Sequence, residues 1–246
     1  MSLLLALTLL TGSGHAVEPG RYGLELVLGS DADLPVIGQT PGTSRSWSLV
    51  DIRETDGQLM QHHQTCAVRM EGRTGKTSVH LPKAFIDALP RREVTLEEGE
   101  RYRADLGEDA IGFDPALGPM PAALDDPSLT DSDKDGQPGA TVELHLPIIG
   151  VVQLFVVQQA HVRLEGTLGE DGVVTGTVEM VAFDQRTLGA SMSFFDRSPE
   201  VTPRGDRSSF RLVPMPDLVG CADVRPAFCA RGDSPGACGK KDKSLF

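Results

Sequence analysis

The run Val151-Val152-Gln153-Leu154-Phe155-Val156-Val157-Gln158-Gln159-Ala160-His161-Val162-Arg163-Leu164, the turn Gly169-Glu170-Asp171-Gly172 and the second run Val173 to Phe183 together decide the fold class. Two β-type runs joined by a glycine-bounded turn predict a hairpin. The apolar part near Ile148 to Val157 is broken by Gly150 and Gln153, so it predicts a core strand and no membrane span. Just upstream, Val142, Leu144 and Leu146 alternate with Glu143 and His145, the period of two expected of a half-buried strand.

The same pattern extends outward. Tyr22, Leu24, Leu26 and Leu28 alternate with Gly23, Glu25, Val27 and Gly29, whereas Gly29 to Gly42 is rich in turn formers. Ser46 to Arg53 predicts a second strand, and Asp56-Gly57 a tight turn into a third from Leu59 to about Glu71. One face of that third strand carries Met60, His62, Gln64, Cys66, Val68 and Met70 and is expected to point inward. A turn over Gly72 to Lys76, a short strand over Thr77 to Leu81 and one helix between Pro82 and Pro90 follow. Val94 and Leu96 begin another strand, Gly107 to Pro127 is expected to be irregular, and Ser209 to Val213 is a last strand. These runs predict an all-β protein of about eight to ten strands with one short helix, either an antiparallel up-and-down barrel or a two-sheet sandwich. The length of the runs 59–71 and 151–164 favours the barrel.

Residues 1–16, with the apolar run Leu3 to Leu10 and the small-residue exit Gly14-His15-Ala16, predict a secretory signal peptide cleaved after Ala16, too short to span a bilayer. The rest divides into a single β domain at 17–214 and a cysteine-containing tail at 215–246. A formal charge of -12 opposes nucleic acid as a partner and suits divalent cations. Leader and composition together point to a bacterial protein that is secreted or periplasmic. Four cysteines in an exported chain predict two disulfides. Of three connectivities, the expected one joins Cys229 to Cys238 as a local loop and Cys66 to Cys221 as a tie between tail and body.

Asp131-Ser132-Asp133-Lys134-Asp135-Gly136, followed by Gln137-Pro138-Gly139, places three carboxylates at alternate positions before a glycine. A calcium loop needs oxygens at positions 1, 3 and 5 and a sharp turn at 6. The stretch resembles the DxDxDG calcium loop shared by EF-hands, dockerins and thrombospondin type 3 repeats, over about a dozen residues. The resemblance implies side-chain ligands at Asp131, Asp133 and Asp135 and a backbone carbonyl ligand at Gln137. The EF-hand's twelfth-position glutamate would fall on Val142, and a strand follows in place of the second helix, so this is no EF-hand. The missing ligand is expected from Glu143, Asp125 or Asp126, or from water.

Other motifs carry less. Gly232-Asp233-Ser234-Pro235-Gly236 fits G-x-S-x-G but lacks the strand-to-helix setting that a nucleophilic serine requires. Gly72 to Thr77 resembles the end of a P-loop, without its first glycine or its helix. His62, His63, His80, His145 and His161 show no metal-binding spacing such as H-x-x-x-H, so they are expected to be surface or core histidines. The first functional expectation is a non-enzymatic exported β protein with one structural Ca2+ and two disulfides. A lipocalin-like carrier, its cavity for a small apolar ligand lined by Met60, His62 and Gln64, is the alternative; a secreted hydrolase using Ser234 is a second.

Overall fold

The computed structural model describes residues 17–34, 38–72, 78–97, 99–197, 200–232 and 238. The expected signal peptide, the P-loop-like turn and Ser234 lie outside them. The strands are Gly20–Leu34 (β1), Gly38–Thr55 (β2), Gln58–Gly72 (β3), Ser78–His80 (β4), Arg92–Thr95 (β5), Tyr102–Ile111 (β6), Ala140–Leu146 (β7), Gly150–Leu168 (β8), Val174–Ala190 (β9) and Glu200–Pro214 (β10). All ten belong to one sheet in the order β4-β7-β8-β9-β10-β1-β2-β3-β5, with β6 also paired to β8. Every ladder is antiparallel. The sheet curls into a half-barrel, and no second sheet faces it among the described residues.

One core fills the concave side. Tyr22, Leu24, Val50, Ile52, Leu59, Val94, Tyr102, Leu164, Val174, Phe210 and Leu212 pack together there, so eight strands contribute to it. The seam between β5 and β6 is held by an Arg92–Asp109 ion pair and by the Glu97 N–H, which donates to the Arg103 carbonyl at 3.4 Å. β6 runs on to Ile111, although the sequence predicts irregular chain from Gly107. That glycine instead marks a bulge, since the β6–β8 register shifts between Asp105 and Glu108 while Tyr102, Ala104 and Leu106 still point inward.

The inward face of β3 is opposite to the expected one. Leu59, Gln61 and His63 are buried, whereas Met60, His62 and Gln64 are only half-buried on the other face. Those three residues therefore do not line the interior as the carrier reading required. Met60 Sδ accepts from Thr95 Oγ1, and His62 Nδ1 lies 3.3 Å from Glu93 on the neighbouring strand. The inward positions 61 and 63 are polar, which hides the buried face from a hydrophobic alternation, and they are held by bonds to the Gln61 oxygen, while Gln61 Nε2 is buried without a hydrogen-bond partner. Gln61 Oε1 accepts the Tyr102 hydroxyl at 2.9 Å and meets His63 Nε2 at 2.9 Å. Burial, reinforced by the charges of Arg92 and His62, lowers the His63 pKa to about 3 and keeps the ring neutral.

Lys83–Ala88 forms the expected short helix (α1), with Phe85 buried against Ile111, Ala140 and Val156. A second helix, Cys221–Ala230 (α2), lies within the tail. Its Val224 and Phe228 pack with Trp47, Val213 and Met215 on the convex side of the sheet. Pro226 lies inside the helix, where it cannot donate a backbone hydrogen bond. Asp223 supports its start by accepting the Gly220 N–H at 3.1 Å. The disulfide Cys66–Cys221 ties this helix to β3, where a register shift leaves Cys66 without a ladder partner, and Cys229–Cys238 closes a local loop.

Candidate metal centre

β6 and β7 occupy successive lengths of the same edge of β8: Ile111 lies opposite Gln158, and Ala140 opposite Val156. The chain between them leaves the sheet at Gly112 and returns at Gly139. Both glycines have positive φ, +83° and +86°, and a Cβ on either would stand 2.6 Å from the Val156 carbonyl oxygen. Only glycine fits this approach. The Thr130 N–H donates to the Gly112 carbonyl at 3.0 Å, and the Gly112 N–H donates to Ser132 Oγ at 2.9 Å. The Gly139 N–H donates to the Thr130 carbonyl at 2.9 Å and the Ser132 N–H to the Gly139 carbonyl at 3.0 Å, so the acidic loop is stitched shut at its base.

Within that base, Asp131, Asp133 and Asp135 each bring a carboxylate oxygen to within 4.8 Å of the others. Asp131 accepts the N–H groups of Asp135 at 3.1 Å and Gly136 at 3.0 Å, which winds the loop about its first carboxylate. Asp135 accepts from the Gln137 N–H at 2.8 Å and the Thr141 hydroxyl at 2.5 Å. Asp133 is 7% exposed; one oxygen accepts the Thr141 N–H at 2.9 Å, and the other, Oδ1, is buried without a hydrogen-bond partner. Burial raises the Asp133 pKa, and the neighbouring charges of Asp135 and Asp131 raise it further, against the opposing Thr141 N–H. Such an arrangement is costly for an anion alone and favourable around a cation. Its donors are all oxygen, which suits hard cations.

The structure thus brings together the three aspartates that the spacing singled out. Thr141 and Ser132, which no spacing rule pointed to, fasten them. Gln137 is exposed and adjoins the cluster through its N–H. The supplementary carboxylates do not join it. Asp126 accepts both the N–H, at 2.9 Å, and the hydroxyl, at 2.6 Å, of Ser128, which holds its carboxyl below the usual range. Asp125 is exposed and outside the group. Glu143, expected at the loop, instead meets His145 on its own strand and His80 on the paired strand β4, and it does not join the aspartate group.

No family model, no curated protein sequence and no solved structure gives a significant match to this chain. Residue geometry therefore carries the functional reading. Among the described residues no helix is long and apolar enough to cross a membrane.

Proposed function

We propose that this is an exported, non-enzymatic β protein, periplasmic or secreted, whose loop 131–139 holds one structural calcium ion. The observation that carries the reading is the buried Asp133 Oδ1 without a donor, set among two further carboxylates. A cation supplies the missing partner and relieves the mutual repulsion. Calcium suits the all-oxygen donors and tolerates an incomplete protein shell completed by water. Without a bidentate glutamate, affinity in the range of extracellular modules, about 10⁻⁴ to 10⁻³ M, is expected. The ion's role is to fasten the crossing from β6 to β7, where backbone–backbone ladders are interrupted. Two disulfides support an oxidising compartment.

The test is thermal unfolding of the oxidised protein in EGTA and in millimolar calcium, beside an Asp133→Ala, Asp135→Ala variant. A calcium-dependent rise confined to the parent supports the site. Equal midpoints for both proteins in both buffers would overturn it.

A further inference from the structure

Beyond the loop, the same strand β7 carries a second group of donors with different chemistry. β4, an edge strand, pairs antiparallel with β7 so that His80 lies opposite Glu143 and Ser78 opposite His145. Residues 143 and 145 share one face of β7, and a directly cross-strand side chain projects to the same face. The result is convergence on a single atom: His145 Nε2 lies 2.9 Å and His80 Nδ1 3.3 Å from the same Glu143 Oε2. The two imidazole rings stand 5.8 Å apart between centroids, and one ligand atom from each of the three residues lies within 4.8 Å of the others. All three side chains are partly exposed, at 33%, 28% and 43% for His80, Glu143 and His145.

We propose that His80, Glu143 and His145 form a second metal site, selective for zinc or a related divalent transition ion, at the β4–β7 edge. Imidazole nitrogens suit zinc, copper and nickel, whereas calcium and magnesium take oxygen. Zinc bonds of about 2.0 to 2.1 Å to nitrogen and about 2.0 to 2.2 Å to carboxylate oxygen require donors roughly 3.3 Å apart around a tetrahedron, so small side-chain rotations suffice. Three protein ligands and partial exposure leave a fourth position for water, the pattern of an open site rather than a closed structural one. Bound metal would also pin the three-residue edge strand β4 to the sheet. A plain arrangement of two histidines on one carboxylate is the competing explanation, and it predicts no saturable zinc binding.

The test uses tag-free, oxidised protein in millimolar calcium, which occupies the aspartate loop, titrated calorimetrically with zinc chloride. One equivalent of zinc is expected to bind. His80→Ala and His145→Ala should each weaken it by more than about 100-fold, since even outer-shell partners of a metal are worth roughly 10- to 100-fold. The Asp133→Ala, Asp135→Ala variant should bind zinc as the parent does. Cobalt(II) in place of zinc should give visible absorption of a low-coordinate nitrogen-ligated ion, lost in His145→Ala. His145→Gln keeps a polar side chain of similar length and guards against misfolding of the alanine variants. Loss of binding in His145→Gln at the parent's melting temperature supports the site. Absence of zinc binding in the parent, or binding unchanged in the histidine variants, would overturn it.

Discussion

The aspartate loop before β7 and the histidine–glutamate cluster on β7 are neighbours in space built in opposite ways. The loop draws its carboxylates from positions 131, 133 and 135, wound around Asp131 by local N–H groups. The edge cluster draws its donors from positions 80, 143 and 145 and exists only because β4 pairs with β7 in one register. Local geometry can be written into a short motif, whereas a cross-strand site depends on how the sheet is assembled. The two disulfides repeat the contrast, one spanning 9 positions and the other 155.

The largest expected effect tests that contrast in the disulfides. Replacing Cys66 and Cys221 by alanine should cost about 5 kcal/mol on a chain-entropy estimate, and replacing Cys229 and Cys238 about 3 kcal/mol. Urea titration followed by the fluorescence of Trp47, the single tryptophan and fully buried beneath α2, reads both. Equal losses would break the distinction between long-range and local closure.

Acid tests the buried network on β3. His63 has its pKa lowered to about 3 in the folded protein, against about 6.5 when unfolded. The unfolded chain therefore takes up a proton first, and stability falls as pH drops from about 6.5 towards 3, by about 2 to 3 kcal/mol at pH 4.5. Urea midpoints at pH 7 and pH 4.5 measure this, and His63→Gln should flatten the difference.

Calcium at ten times its dissociation constant should stabilise the parent by about 1.4 kcal/mol, a rise in melting temperature of roughly 3 to 5 °C for a chain of this size. The Asp133→Ala, Asp135→Ala variant should show none of it. The smallest effect has the opposite sign. With its folded pKa raised, Asp133 makes the calcium-free protein less stable as pH rises above the ordinary carboxylate value and through the raised one. Asp133→Asn should therefore melt slightly higher than the parent in EGTA at pH 7 and lose the calcium response. A lower midpoint in EGTA would mean that the carboxylate matters more as a hydrogen-bond acceptor for Thr141 than as a buried charge.

Where neighbours in sequence set the structure, the residues were informative. The runs Val151 to Leu164 and Val173 to Phe183 pair across the turn predicted for them, as β8 and β9. Asp56-Gly57 joins β2 to β3, both residues at positive φ. The errors arose where a tertiary partner overrides the local pattern. Gly107, expected to open an irregular stretch, is absorbed as a bulge against β8, and the tail, expected only to carry cysteines, holds a helix that packing and Cys66–Cys221 keep in place. On β3, Gln61 and His63 face inward, where Tyr102 arrives from β6 and donates to Gln61 Oε1.

By itself, then, the sequence determined an antiparallel β protein and the three-aspartate loop, because period-two burial and alternate carboxylates are encoded within a few residues. Only the tertiary structure decided which face of β3 is buried, where Glu143 points, and that His80 meets His145. Those outcomes depend on sheet order and register, which no single strand records, because a strand's ladder bonds are made by backbone groups common to every residue.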